Sequence, residues 1–158
     1  MNELLEILQK ELNIYEEILK ISKNKTDIIK EDRALDLDPL VREEEEKVAQ
    51  VIALEKKRLA CVRRICVYLQ IEDTNISISE LSKYVDEKQE LLDFKEKITK
   101  VLRDLKRTNN LNQKLIQSSL EYVNFMVNLT TGANQNVTYG ATGQKNAKGQ
   151  TNFFDMKL

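Results

Sequence analysis

The chain has 158 residues, 32% of them charged, with four glycines and one proline. That size fits one domain and that composition favours long charged helices over sheet. A net charge of −1 gives no global basic field to recruit nucleic acid or an anionic membrane, and the absence of histidine removes the commonest general base and imidazole metal ligation.

The first segment, residues 2–31, is helical by period. Leu8, Leu12, Tyr15, Leu19, Ser22, Thr26 and Ile29 step by fours and threes, beside a second stripe of Ile7, Ile14, Ile18, Ile21 and Ile28. Two adjacent stripes make a face too broad for one partner, so this helix is expected to meet at least two. Met1-Asn2-Glu3 leads straight into that pattern, the wrong start for a secretory signal, so a cytoplasmic location is expected. No run of about eighteen apolar residues occurs anywhere, so no membrane insertion is expected.

Residues 32–38 form the first break, with Asp38 and Pro39 expected as N-cap and first helical residue of the second helix, 39–70. The acidic run Glu43–Glu46 reads as a solvated helix start favoured by the macrodipole. The expected seam is Val48, Val51 or Ile52, Glu55, Leu59, Val62, Cys66 and Leu69. Lys56-Lys57-Arg58 and Arg63-Arg64 are expected on the solvated sides. Cys61 and Cys66 are five apart on a helix, which suits neither a CxxC motif nor a zinc half-site. Reduced, buried thiols pointing to different faces are expected.

Residues 71–77 form the second break, and Ser77-Ile78-Ser79-Glu80 spells a capping box opening a short helix, 78–85. Ile76 and Leu81 are placed to staple it. Val85-Asp86 marks a kink or a new cap, with Gln89 at the reciprocal position. The last helix, 87–130, has the seam Leu91, Lys95, Ile98, Leu102, Leu105, Asn109, Asn112, Ile116, Ser119, Val123 and Met126. Asn109 and Asn112 either fix register in a polar layer or mark where the helix leaves the bundle.

At about 1.5 Å per residue the three long helices span roughly 45, 48 and 65 Å. Short connections make sequential neighbours antiparallel, so the last helix is expected to run back along the second and overshoot it by roughly 15–20 Å. The overshoot falls on its most apolar part, where Leu115, Leu120, Tyr122, Phe125, Met126 and Leu129 surround most of the axis. An apolar end without partners marks an interaction site, unless Leu35, Leu37 or a second copy covers it. A methionine there suits a surface that accommodates more than one partner sequence. Residues 131–158 are rich in Gly, Asn, Gln and Thr and end in Phe153-Phe154-Asp155-Met156-Lys157-Leu158. They bury too little to fold alone, so two parts are expected: a helical domain, 1–130, and a flexible tail, 131–158. The fold expected is all-α, an elongated antiparallel bundle or coiled coil of three long helices and one short one.

The chain resembles FlgN-type flagellar export chaperones along nearly its whole length. The resemblance is carried by the Glu-rich start of the second helix, Leu54-Glu55-Lys56-Lys57-Arg58, and the stretch from Asn112 through Leu120-Glu121-Tyr122-Val123-Asn124. Thr138-Tyr139-Gly140-Ala141-Thr142-Gly143 and the terminal Phe154-Asp155-Met156-Lys157-Leu158 add to it. It implies a cytosolic helical chaperone without enzymatic activity or cofactor. The partners implied are the C-terminal helical segments of hook-associated junction proteins, kept from premature assembly, and the flagellar export gate. Cargo binding maps to Leu115, Ile116, Leu120, Val123, Met126, Val127 and Leu129, and gate docking to Tyr122. The competing readings are a coiled-coil adaptor that self-associates through its last helix, and a helical nucleic-acid binder using Arg63, Arg64, Lys97, Lys100 and Arg103.

Overall fold

The computed structural model describes residues 1–130, and the expected tail lies outside the described residues. Three long helices carry the fold: α1 (Asn2–Lys30), α2 (Leu37–Tyr68) and α4 (Lys88–Thr130). A 3-10 turn, Ala34–Asp36, leads into α2, and the short α3 (Ile78–Leu81) precedes α4. The described residues contain no strand, and the all-α fold is as expected.

Helix α1 is central, packing against both α2 and α4. Its two apolar stripes account for this: Leu4, Leu8, Leu12, Tyr15 and Ile18 join one core with Val51, Val62 and Cys66 of α2 and Leu91, Ile98 and Leu105 of α4. Ion pairs fix direction. Glu3–Arg64, Glu11–Arg58, Glu17–Lys47 and Lys25–Glu44 run in opposite order along α1 and α2, so that pair is antiparallel. Ser22 bonds Asn109 and Thr26 bonds Asn112, so α1 and α4 are parallel.

Both α1 and α2 end on left-handed residues, Asp32 (φ 53°) and Gln70 (φ 57°). The amide of Arg33 donates to the Ile28 carbonyl and that of Ile71 to the Cys66 carbonyl. Asp32 and Gln70 donate to Ile29 and Val67, which completes a Schellman motif at each end. The capping box forms as expected: the Glu80 amide donates to Ser77 Oγ, and the Ser77 amide donates to Glu80 Oε2. Ile76 packs against the core and Leu81 is buried within it.

Several expectations are corrected. Helix α2 starts at Leu37, so Pro39 sits one turn inside the helix start instead of at its first position. It is tolerated because the first four amides of a helix lack intrahelical acceptors. Helix α3 stops at Leu81, not 85: beyond it the Lys83 and Tyr84 amides donate to the carbonyls three residues back, Glu80 and Leu81, instead of four. Gln89 donates to Asp93 down the helix, not back toward Asp86. Arg58, expected in solvent, is buried against Glu11, while Leu59, expected in the seam, is exposed. The turn carrying Arg58 faces α1 because buried Glu11 offers it a carboxylate there, 3.1 Å away. Leu35 does not cover the apolar end of α4; it is 94% exposed.

Candidate functional site

Helix α4 carries one continuous register. Leu91, Ile98, Leu105, Asn112, Ser119 and Met126 recur every seventh residue, the spacing of a helix seam. Leu91, Ile98 and Leu105 are fully buried and Asn112 is 6% exposed, whereas Met126 is 39% exposed. A second ladder, Phe94, Val101, Thr108 and Leu115, is half-buried throughout and continues as Tyr122 and Leu129, both exposed. A third, Lys95, Leu102 and Asn109, is half-buried and continues as Ile116 and Val123, both exposed. All three ladders lose their cover between Asn112 and Tyr122.

The cause is the length of α1. The pairing of Ser22 with Asn109 and Thr26 with Asn112 places the end of α1, Lys30, level with the turn around Gln117. The Schellman motif at Asp32 then reverses the chain into α2. About thirteen residues of α4 remain, roughly 20 Å of helix with nothing beside them among the described residues. The expected overshoot is present. Its yardstick is corrected: α4 outruns α1, the helix it packs on.

The last packed layer is polar. The Ser22 and Thr26 hydroxyls donate to the side-chain oxygens of Asn109 and Asn112, at 2.6 and 2.5 Å, and Asn112 Nδ2 donates to the Ser22 carbonyl at 2.9 Å. Both readings of this layer hold. It ties α1 to α4, and it lies just before the point where α4 leaves the bundle.

Leu115 is half-buried at the root of the free segment. Ile116, Leu120, Val123, Met126, Val127 and Leu129 are exposed, as is Tyr122 at 64%. Phe125, about 100° round the axis from Met126, is exposed as well. Glu121 is the only charged residue from Leu115 to Thr130. The sequence-based site residues therefore lie together on one stretch of helix, most of them on its seam side. Such a surface can bury apolar side chains of a partner, and it offers little to select by charge.

The other polar groups serve the fold. Buried Glu11 accepts from Arg58 Nε, with Glu55 3.6 Å from the same guanidinium. Desolvation raises the Glu11 pKa, against the opposing pull of Arg58. Burial, helped by Glu11 and Glu55, pushes the Tyr15 phenol up to about 12. Cys61 and Cys66 are buried and free, and burial raises both thiols, so neither is poised as a nucleophile. Of the basic residues considered for nucleic acid, Arg64 is taken up by Glu3, and Lys97 lies 5.8 Å from the centre of the Phe94 ring. The described residues hold no cluster of three or more side chains able to bind a metal. None of their helices is long and apolar enough to cross a membrane.

These features define an all-helical bundle protein whose last helix runs past its partner and presents an apolar end. The chain belongs to the FlgN family: the family model, described as FlgN protein, matches residues 1–147. Membership gives it a flagellar export chaperone kind of role, in a chaperone family rather than an enzyme family, with flagellar proteins as the class of partner. The chain is also similar to the uncharacterized protein YvyG of Bacillus subtilis (strain 168), at 22% identity over 136 residues, covering 86% of this chain and 84% of that protein. No solved structure matches it significantly.

Proposed function

We propose that the free end of α4 holds the C-terminal helical segment of a flagellar hook-associated junction protein in the cytoplasm. This prevents premature assembly and delivers the cargo to the export gate. The observation that carries the reading is the uncovered seam: the register that buries Leu105 against α1 continues through Val123 and Met126 with no partner helix among the described residues. A cargo helix laid alongside would take the place that α1 vacates at Lys30. Burial of about five to seven apolar side chains contributes roughly 1.5–3 kcal/mol each before association and ordering costs are subtracted. Tyr122, at the edge of the same face, is the proposed gate-docking residue.

Leu120→Asp and Val123→Asp are expected to abolish pull-down of the junction proteins while leaving helicity nearly intact by circular dichroism. Normal pull-down by both variants sinks the site. The same uncovered seam also fits self-association through α4. A stable oligomer by light scattering, abolished by the same substitutions and accompanied by no cargo, would favour that adaptor reading instead.

A further inference from the structure

The apolar end of α4 exposes seven large side chains from Ile116 to Val127 and an eighth at Leu129. An exposed apolar patch of that kind marks an interaction site. The chain continues from Thr130 for 28 residues. The nearer part of that continuation, 131–152, has Val137 as its one large aliphatic and Tyr139 as its one aromatic residue. The apolar side chains gather at the far end: Phe153, Phe154, Met156 and Leu158.

We infer that this tip, Phe153–Leu158, is the resident occupant of the α4 face in the absence of cargo. Distance permits it. A Gly-rich chain of about 23 residues has a root-mean-square reach of roughly 25 Å, against a face roughly 20 Å long that begins at the tether point. Concentration favours it over the other candidate occupant. A tether of this length holds its tip at an effective concentration on the order of millimolar, well above that of a second copy at micromolar protein. Charge does not oppose it, because Asp155 and Lys157 cancel and Glu121 is the only charge on the face. The tip then competes with any helix that binds there. The docking stands by itself, and the competition rests on the proposed cargo reading.

The absence of tryptophan makes the test clean. Phe154→Trp in the full chain places a single reporter at the tip, with Phe153→Trp as a second probe in case one substitution disturbs docking. The expected result is blue-shifted emission, unchanged by dilution, that reverts to that of an exposed indole when Leu120→Asp is added. Exposed-indole emission from both probes overturns the inference. So does a blue shift that persists with Leu120→Asp, which places the tip elsewhere. A blue shift that grows with protein concentration also overturns it, because a second copy is then the occupant. All three readouts are free of cargo, so a failed junction-protein pull-down leaves them unaffected. With a junction-protein C-terminal peptide as probe, replacing Phe153, Phe154, Met156 and Leu158 by Ser is expected to tighten apparent binding. The factor is about tenfold if the face is free about a tenth of the time.

Discussion

Between Leu91 and Asn112 every seventh residue of α4 is buried, and between Ser119 and Met126 the same register runs into solvent. The two halves share a helical backbone, a heptad spacing and an apolar seam. They differ in what lies beside them: α1 accompanies the first half and stops level with Gln117. A seam is therefore a core or a docking face according to the length of the neighbouring helix, not its own residue types. In this fold the position of one helix end, the Schellman motif at Asp32, decides where the core ends and the exposed seam begins.

The sharpest way to break that comparison is to make the same substitution in both halves. Leu105→Ala removes a side chain with no solvent exposure and is expected to cost roughly 2–5 kcal/mol in urea unfolding. Leu120→Ala removes one that is 54% exposed and should change stability by less than about 0.5 kcal/mol. A loss above about 1.5 kcal/mol at Leu120 would exceed what a tip docked about nine-tenths of the time can add, and would mean that a second copy is a structural partner of the second half.

The next effect isolates α1, the helix that separates the halves. Tyr15 is buried, with its phenol pushed up to about 12 from an ordinary value of 10.0. In the unfolded chain the phenol ionises near pH 10, while in the folded chain it stays neutral to higher pH. Its contribution to stability is thus fully present below pH 10 and is lost as pH rises through the folded value. The two-unit difference corresponds to roughly 2–3 kcal/mol above pH 12. Tyr15→Phe should be less sensitive than the parent to pH between about 10 and 12 by that amount. The measurement is the difference between the two proteins in urea midpoint as pH rises. Parallel curves would show that the phenol is not desolvated at the α1–α2 contact.

Much of this was legible in the sequence, for physical reasons that differ by element. The period of α1 and α4 is strong because each buries one long stripe, and the Ser77–Glu80 box is purely local, so both could be read without a structure. The overshoot followed from helix lengths alone. Local patterning misplaced Arg58 and Leu59, because a charged residue at one position and a leucine at the next argue for the opposite orientation. Glu55, three positions back, lies 3.6 Å from the same guanidinium, but the carboxylate that Arg58 Nε bonds is 47 positions away, on α1. The parallel direction of α1 and α4 followed from two reversals, but that α4 lies along α1 instead of along α2 was out of reach, since no local signal records it. The uncovered residues of α4, Tyr122 among them, were identifiable from composition, and the structure shows Tyr122 exposed on the ladder of Leu115.

The smallest effect lies at the boundary itself. Asn112→Ala removes the acceptor of the Thr26 hydroxyl and one donor to the Ser22 carbonyl. Thr26 keeps its bond to that carbonyl at 3.1 Å, so the expected loss is only about 1–2 kcal/mol. What the layer provides beyond that is register. Asn112→Leu, with Ser22→Ala and Thr26→Val, would replace Asn112 and both its partners together, leaving only half-buried Asn109 polar, and is expected to leave stability within about 1 kcal/mol of the parent. It would also leave Ser119 as the one polar residue in the register from Leu91 to Met126, with none of these hydrogen bonds left to say where α1 must stop. A chain so altered should pair α4 with α1 in slipped registers or with a second copy, visible as a raised molar mass in light scattering. A triple variant that stays monomeric, with cargo binding intact, would show that the length of α1 alone divides core from docking face.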